Sequence, residues 1–288
     1  MSEPTSLKAR YVERTVTGMP ASDGAGVKLK RVIGQPQCDY LDPFLMLDEF
    51  RNENADDYIA GFPDHPHRGF ETVSYMLHGR LRHHDSVGNS GLLTDGAAQW
   101  MTAGRGIIHS EMPEQTDGLL WGYQLWVNLP AALKMSPPRY QDIPPEDVPE
   151  HDGDGIRVRV IAGRFAGTAG AAESLTDVGY FDVRLAPGAV FAHPVLDGQT
   201  ALAYVYDGAL AAADSLGRPL DIAESQLAIF SRQGGLDLTA SDAGARFLVM
   251  TGAPLNEPVA RYGPFVMNTR EEIIQAAEDF QNGTLAAE

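Results

Sequence analysis

The chain reads as an all-β protein built from two barrel-type domains, and three observations predict this. Its 288 residues suit two domains at roughly 150 residues each, and 43% of them are hydrophobic, enough to fill two cores. The 30 glycines and 19 prolines are scattered rather than clustered, which implies many tight turns between short elements. Apolar residues then alternate with a period of two, the pattern of strands with one buried face.

The N-terminal stretch "MSEPTSLKARYVERTVTG" lacks the apolar core of a signal peptide, and no run of about 20 apolar residues occurs, so no membrane span is expected. Cys38 is the single cysteine, which excludes an intrachain disulfide. These features favour a reducing cytoplasm. A net charge of −17 without a Lys/Arg cluster argues against direct nucleic-acid binding.

The first chemically informative stretch is "GFPDHPHRGFE", Gly61 to Glu71. On a strand, residues i and i+2 share a face about 6.5–7 Å apart, so His65 and His67 are able to aim at one point. The intervening Pro66 cannot donate to a ladder and marks a strand start or an unpaired edge. "LHGRLRHHDS" follows as a hairpin turn, which predicts exposed positions for His78, His83 and His84. In "AGRGIIHSEMP", His109 and Glu111 repeat the i, i+2 spacing after Gly104 and Gly106. Two such strands close three imidazoles and one carboxylate around a cation.

Between Leu129 and Gly155 the alternation stops. "PAALKMSPPRYQDIPPEDVPEHDGDG" holds six prolines and many acids, which reads as linker chemistry and predicts domains over 1–140 and 141–288. Beyond it, "GIRVRVIAG" and "YFDVRLAPG" resume the period of two. Tyr75, Gly79, Asp85, Ser86 and Gly88 recur 129 residues later as Tyr204, Gly208, Asp214, Ser215 and Gly217, the mark of an internal duplication. At that offset His109 falls on Leu238 and Glu111 on Ala240, while "HPH" falls, at 128, on "HPV" with only His193 retained. The second domain is therefore expected to keep the scaffold without a metal site. The chain closes with "NTREEIIQAAEDFQNG": Thr269 and Glu272 have capping-box spacing, Ile273, Ile274, Ala277 and Phe280 form an apolar stripe, and Asn282-Gly283 supplies a left-handed stop.

At these residues the chain resembles a known family. "HPHRGFETVSYMLHG" followed by "QWMTAGRGIIHSEMP", with "YGPFVMNTREEI" near the end, is similar to the pirins, a family of bicupins. The resemblance implies two cupin (jelly-roll) β-barrel domains packed face to face, with a C-terminal helix. It also implies Fe(2+) on His65, His67, His109 and Glu111, although imidazole equally suits Cu, Ni, Mn, Co or Zn. Typical cupins draw the carboxylate from the first motif, here Glu71, and pirins from the second, here Glu111; Glu111 is the expected ligand and Glu71 its rival. Some pirins resemble flavonol 2,3-dioxygenases in activity, which implies a small aromatic substrate and O2, with Glu111 as general base. Others are regulators, which implies a redox-sensitive iron and a protein partner. A cupin isomerase or epimerase is the weakest reading, because few basic residues cluster near the motifs.

Overall fold

The computed structural model describes residues 8–286, so the first seven residues of the N-terminal stretch lie outside it. The described residues are all-β apart from three short 3-10 turns and one helix, and they divide into two compact units. One comprises Met19–Asp147, Ala172–Leu175 and the segment from Leu255 onward; the other comprises residues 8–18, Val148–Ala171 and Thr176–Pro254. They are called here the N-terminal and C-terminal barrels.

The N-terminal barrel has a seven-stranded and a four-stranded antiparallel sheet. Phe70–His78 is central in the larger sheet, between Ala98–Thr102 and Leu120–Asn128, and its near-continuous burial matches its sequence, which hardly alternates. The smaller sheet runs Phe62–His67, Ile107–Pro113, Leu81–Asp85 and Ser90–Leu93. The C-terminal barrel is one nine-stranded sheet. Two long strands, Thr200–Ala213 and Leu236–Gly252, pair along it with register shifts near Val205 and Gly208; such bulges let a long strand bend around a core. Its interior holds Phe181, Phe191, Val158, Val183 and Phe247, with Val158 facing Val183 as the alternation of Ile156–Ala162 and Val178–Leu185 predicts.

Two expectations about organisation are corrected. The proline-rich stretch is not a bare linker: Arg139–Ile143, bracketed by Pro137-Pro138 and Pro144-Pro145, pairs with Ala98–Thr102 as an edge strand. An edge strand tolerates flanking prolines because only one side of its ladder needs N–H donors. Nor are the units the contiguous halves 1–140 and 141–288. Val12–Thr17 pairs with Gln226–Phe230 in the C-terminal barrel, and the C-terminal helix Arg270–Gln281 belongs to the N-terminal barrel. An unpaired sheet edge drives the first and apolar burial the second, since Ile273 and Ala276 pack with Phe265, Met267 and Leu285.

The helix begins with a complete Thr269/Glu272 capping box, and Gly283 ends it with φ of 71°. Its buried stripe is centred on Ile273 and Ala276, with Ala277 packed beside them, whereas Ile274 and Phe280 are exposed. The duplication is visible in the backbone. Asp85 Oδ1 accepts from the N–H groups of Val87 and Asn89, and Asp214 Oδ1 accepts in the same way from Leu216 and Arg218.

Candidate metal centre

The strands Phe62–His67 and Ile107–Pro113 pair antiparallel, with His67 opposite Ile107 and His65 opposite His109. Ring centroids lie 4.7 Å apart for His65 and His67, 4.4 Å for His65 and His109, and 4.9 Å for His67 and His109. One nitrogen from each ring falls within 4.8 Å of the others. Metal–nitrogen bonds of about 2 Å bring such atoms to within about 4 Å of one another, so only small ring movements close the set.

The donors fit a metal chemically. His67 and His109 are 2% and 1% exposed, and none of their ring nitrogens has a well-formed hydrogen bond, a costly state for buried polar atoms unless something else uses the lone pairs. His65 Nδ1 donates to the Pro63 carbonyl at 2.8 Å; this fixes the ring and leaves Nε2 as the free donor, the support a ligating histidine normally receives. Burial holds the His67 and His109 pKa values well below the ordinary 6.5. Repulsion from His65 adds to this at His67, against the opposing Pro264 carbonyl, and His67, His65 and His83 add to it at His109. Neutral imidazole is the form that binds metal.

Glu111 is 3% exposed and belongs to the same strand as His109, but its carboxylate is outside the group of three nitrogens. A register shift falls between His109 and Glu111. The Ser74 hydroxyl lies 2.5 Å from Glu111 Oε1, and Gln124 Nε2 donates to Oε2 at 3.2 Å. Ser74 also lies 2.6 Å from Gln124 Oε1, so the three side chains form a closed triangle. Glu71 is elsewhere. The strand breaks after His67 and restarts at Phe70, with Gly69 at φ of 93°, and the buried Glu71 carboxylate accepts from Thr102 Oγ1, Ser174 Oγ and the Leu175 N–H.

One expectation about the histidines fails. His78 and His84 are exposed, but His83 is 1% exposed, because it lies on the strand Leu81–Asp85 rather than in the turn. The strand's period of two buries Leu81, His83 and Asp85 and exposes Arg82 and His84. His83 sits opposite Glu111 in register, and its Nε2 lies within 3.1 Å of Gln99, Tyr140 and Asp142. The alternation in "LRHHD" was the available signal. Ser74, Gln124 and Gln99 had none, since each comes from a separate strand.

The site opens into a cavity of about 800 Å3 lined by His65, His67, Glu111 and Gln124, with Phe50, Phe62, Leu81 and Trp126 among its apolar walls. Phe70 and Trp126 stand edge-on to His67 at 5.1 and 5.2 Å.

The C-terminal barrel shows the same scaffold emptied of ligands. There Phe191 faces Leu238 and His193 faces Leu236, as His65 faces His109 and His67 faces Ile107. By register "FAH" rather than "HPV" is therefore the counterpart of "HPH": Phe191 replaces His65, Leu238 replaces His109, and His193 is the counterpart of His67. His193 packs against Phe165 and Phe181.

Comparison with known proteins agrees with this geometry. The family model described as pirin matches residues 26–127, and that of the pirin C-terminal cupin domain matches 180–286. A Pseudomonas aeruginosa protein provisionally named a quercetin 2,3-dioxygenase is 56% identical over 276 residues, 94% of this chain and 96% of that one. A pirin-like protein from Caulobacter vibrioides is 48% identical, covering 96% of this chain and 99% of that one. The crystal structure of quercetin 2,3-dioxygenase from Acinetobacter baumannii superposes with a TM-score of 0.86 at 35% identity, covering 96% and 98% of the two chains. With two cupin barrels, a three-histidine cluster in the first and its eroded copy in the second, the chain belongs to the pirin family.

Proposed function

We propose that this pirin is an iron-dependent dioxygenase that opens the ring of a flavonol such as quercetin with O2. The observation that carries the reading is the set of buried, unpaired imidazole nitrogens beside a cavity of about 800 Å3 with aromatic walls and a carboxylate. That volume is in the range of small-molecule sites. The activities named for the Acinetobacter structure and the Pseudomonas relative support it.

His65, His67 and His109 would hold the ion, with Glu111 as fourth ligand; bound there, iron supplies Lewis acidity and access to the one-electron chemistry of O2. The chain's own residues do the rest. Phe62 and Trp126 offer flat apolar surface to a planar aromatic substrate. Glu111 accepts the proton of the flavonol hydroxyl, and Ser74 and Gln124 hold its carboxylate in place for that transfer.

The test is oxygen consumption with quercetin by metal-loaded protein, beside a His109→Ala variant. Loss of at least about 100-fold in the variant, the scale of losing a key catalytic group, is expected. Equal rates in the two proteins would remove the dioxygenase and leave the non-catalytic, iron-binding regulator. Metal analysis of freshly purified protein chooses among iron, copper, nickel, manganese, cobalt and zinc.

A further inference from the structure

A second constellation lies in the C-terminal barrel and has no part in the flavonol reading. Five neighbouring strands carry charged residues directly in register: Asp152 faces Arg157, Arg157 faces Arg184, Arg184 faces Arg246, and Arg246 faces Asp207. Strands are about 4.8 Å apart, and like charges placed opposite each other are destabilising. The outer arginines have compensation. Arg157 Nη2 lies 2.6 Å from Asp152 Oδ2, and Arg246 Nε lies 3.8 Å from Asp207 Oδ2. Arg184, exposed on the strand between those of Arg157 and Arg246, has no carboxylate partner among the described residues.

All five residues line a cavity of about 550 Å3, together with Gly155, Ala186, Gly208 and Gly244. A row of three arginines is unusual in a chain of net charge −17, and repulsion without a use has no evident benefit. We infer that this row binds a small organic dianion, a phosphate monoester or a dicarboxylate, with Arg184 gripping one pair of oxygens and Arg157 and Arg246 closing from either side. Guanidinium forks match such oxygen pairs bidentately. Asp152 and Asp207 bound the positive stretch to three strands, about 10 Å across, which suits a small dianion and repels a running phosphate backbone.

The experiment is isothermal titration of the full chain with inorganic phosphate and, separately, succinate, against sodium chloride of equal ionic strength. It compares wild type, Arg184→Gln and, as a control away from the row, Arg164→Gln. Saturable binding of at least one anion is expected in wild type and Arg164→Gln, weakened at least tenfold in Arg184→Gln. Preference for phosphate identifies a phosphate ester, and preference for succinate a dicarboxylate. In chloride alone, Arg184→Gln is expected to melt higher than wild type, because relief of repulsion outweighs whatever packing the shorter side chain gives up. No binding in wild type, equal binding in Arg184→Gln, or a lower melting temperature for that variant would each overturn the site. These readouts are independent of quercetin turnover.

Discussion

His109 carries two buried ring nitrogens without hydrogen bonds, and an orphaned buried polar group costs about 1–3 kcal/mol. A bound ion would offset that cost at one nitrogen. The matching position in the other barrel, Leu238, shows what the fold prefers when no ion is needed. His109→Leu is therefore expected to stabilise the metal-free protein by about 1–2 kcal/mol in urea unfolding while its metal content falls to background. A destabilised variant would mean that the ring has partners of its own. The three histidines were legible in sequence because i, i+2 spacing on a strand translates directly into a shared face. The Ser74 and Gln124 hold on Glu111 was not, since these residues are 37 and 13 positions away and meet it only across a closed barrel.

Among the elements, the strand Val190–His193 tests what the eroded site became. Burial among aromatic rings lowers the His193 pKa from 6.5 to about 4. The unfolded chain therefore takes up this proton first as pH falls, so the stability is fully present above pH 6.5 and is lost between 6.5 and about 4. The loss is about 3 kcal/mol. His193→Phe, which keeps a ring against Phe165, is expected to flatten this part of the pH profile of thermal unfolding; an unchanged slope would locate the acid sensitivity elsewhere. Strand alternation and the capping box could be read locally. The edge strand Arg139–Ile143 could not, because proline disfavours strand by itself and only a partner strand with a free edge makes the pairing worthwhile.

For the whole molecule, chain order and spatial order differ at both ends. The C-terminal segment packs closely beside the histidine-bearing strands: a side chain at Gly69 would strike the Val266 carbonyl, and one at Gly106 that of Leu285. Arg68, next to His67 and 4% exposed, donates to the Arg105 carbonyl and pairs with Asp279 on the helix at 2.7 Å. Asp279→Ala would leave that buried charge without its counterion, and a loss of about 3 kcal/mol is expected, the low end for a buried pair because Asp279 is partly exposed, read as a lower urea midpoint. A change below about 0.5 kcal/mol would mark the pair as a surface-type interaction.

Taken alone, the sequence determined the fold class, the duplication, the loss of ligands from the second copy and the histidine set, because each follows from periodicity or offset along one chain. The tertiary structure decided the burial of His83, the separate hydrogen-bonded places of Glu71 and Glu111, the arginine row, and the barrel to which each chain end belongs. Those depend on which strands become neighbours, and pairing between segments far apart in sequence is set by the closing of the sheets and the burial of apolar surface, which no local pattern encodes.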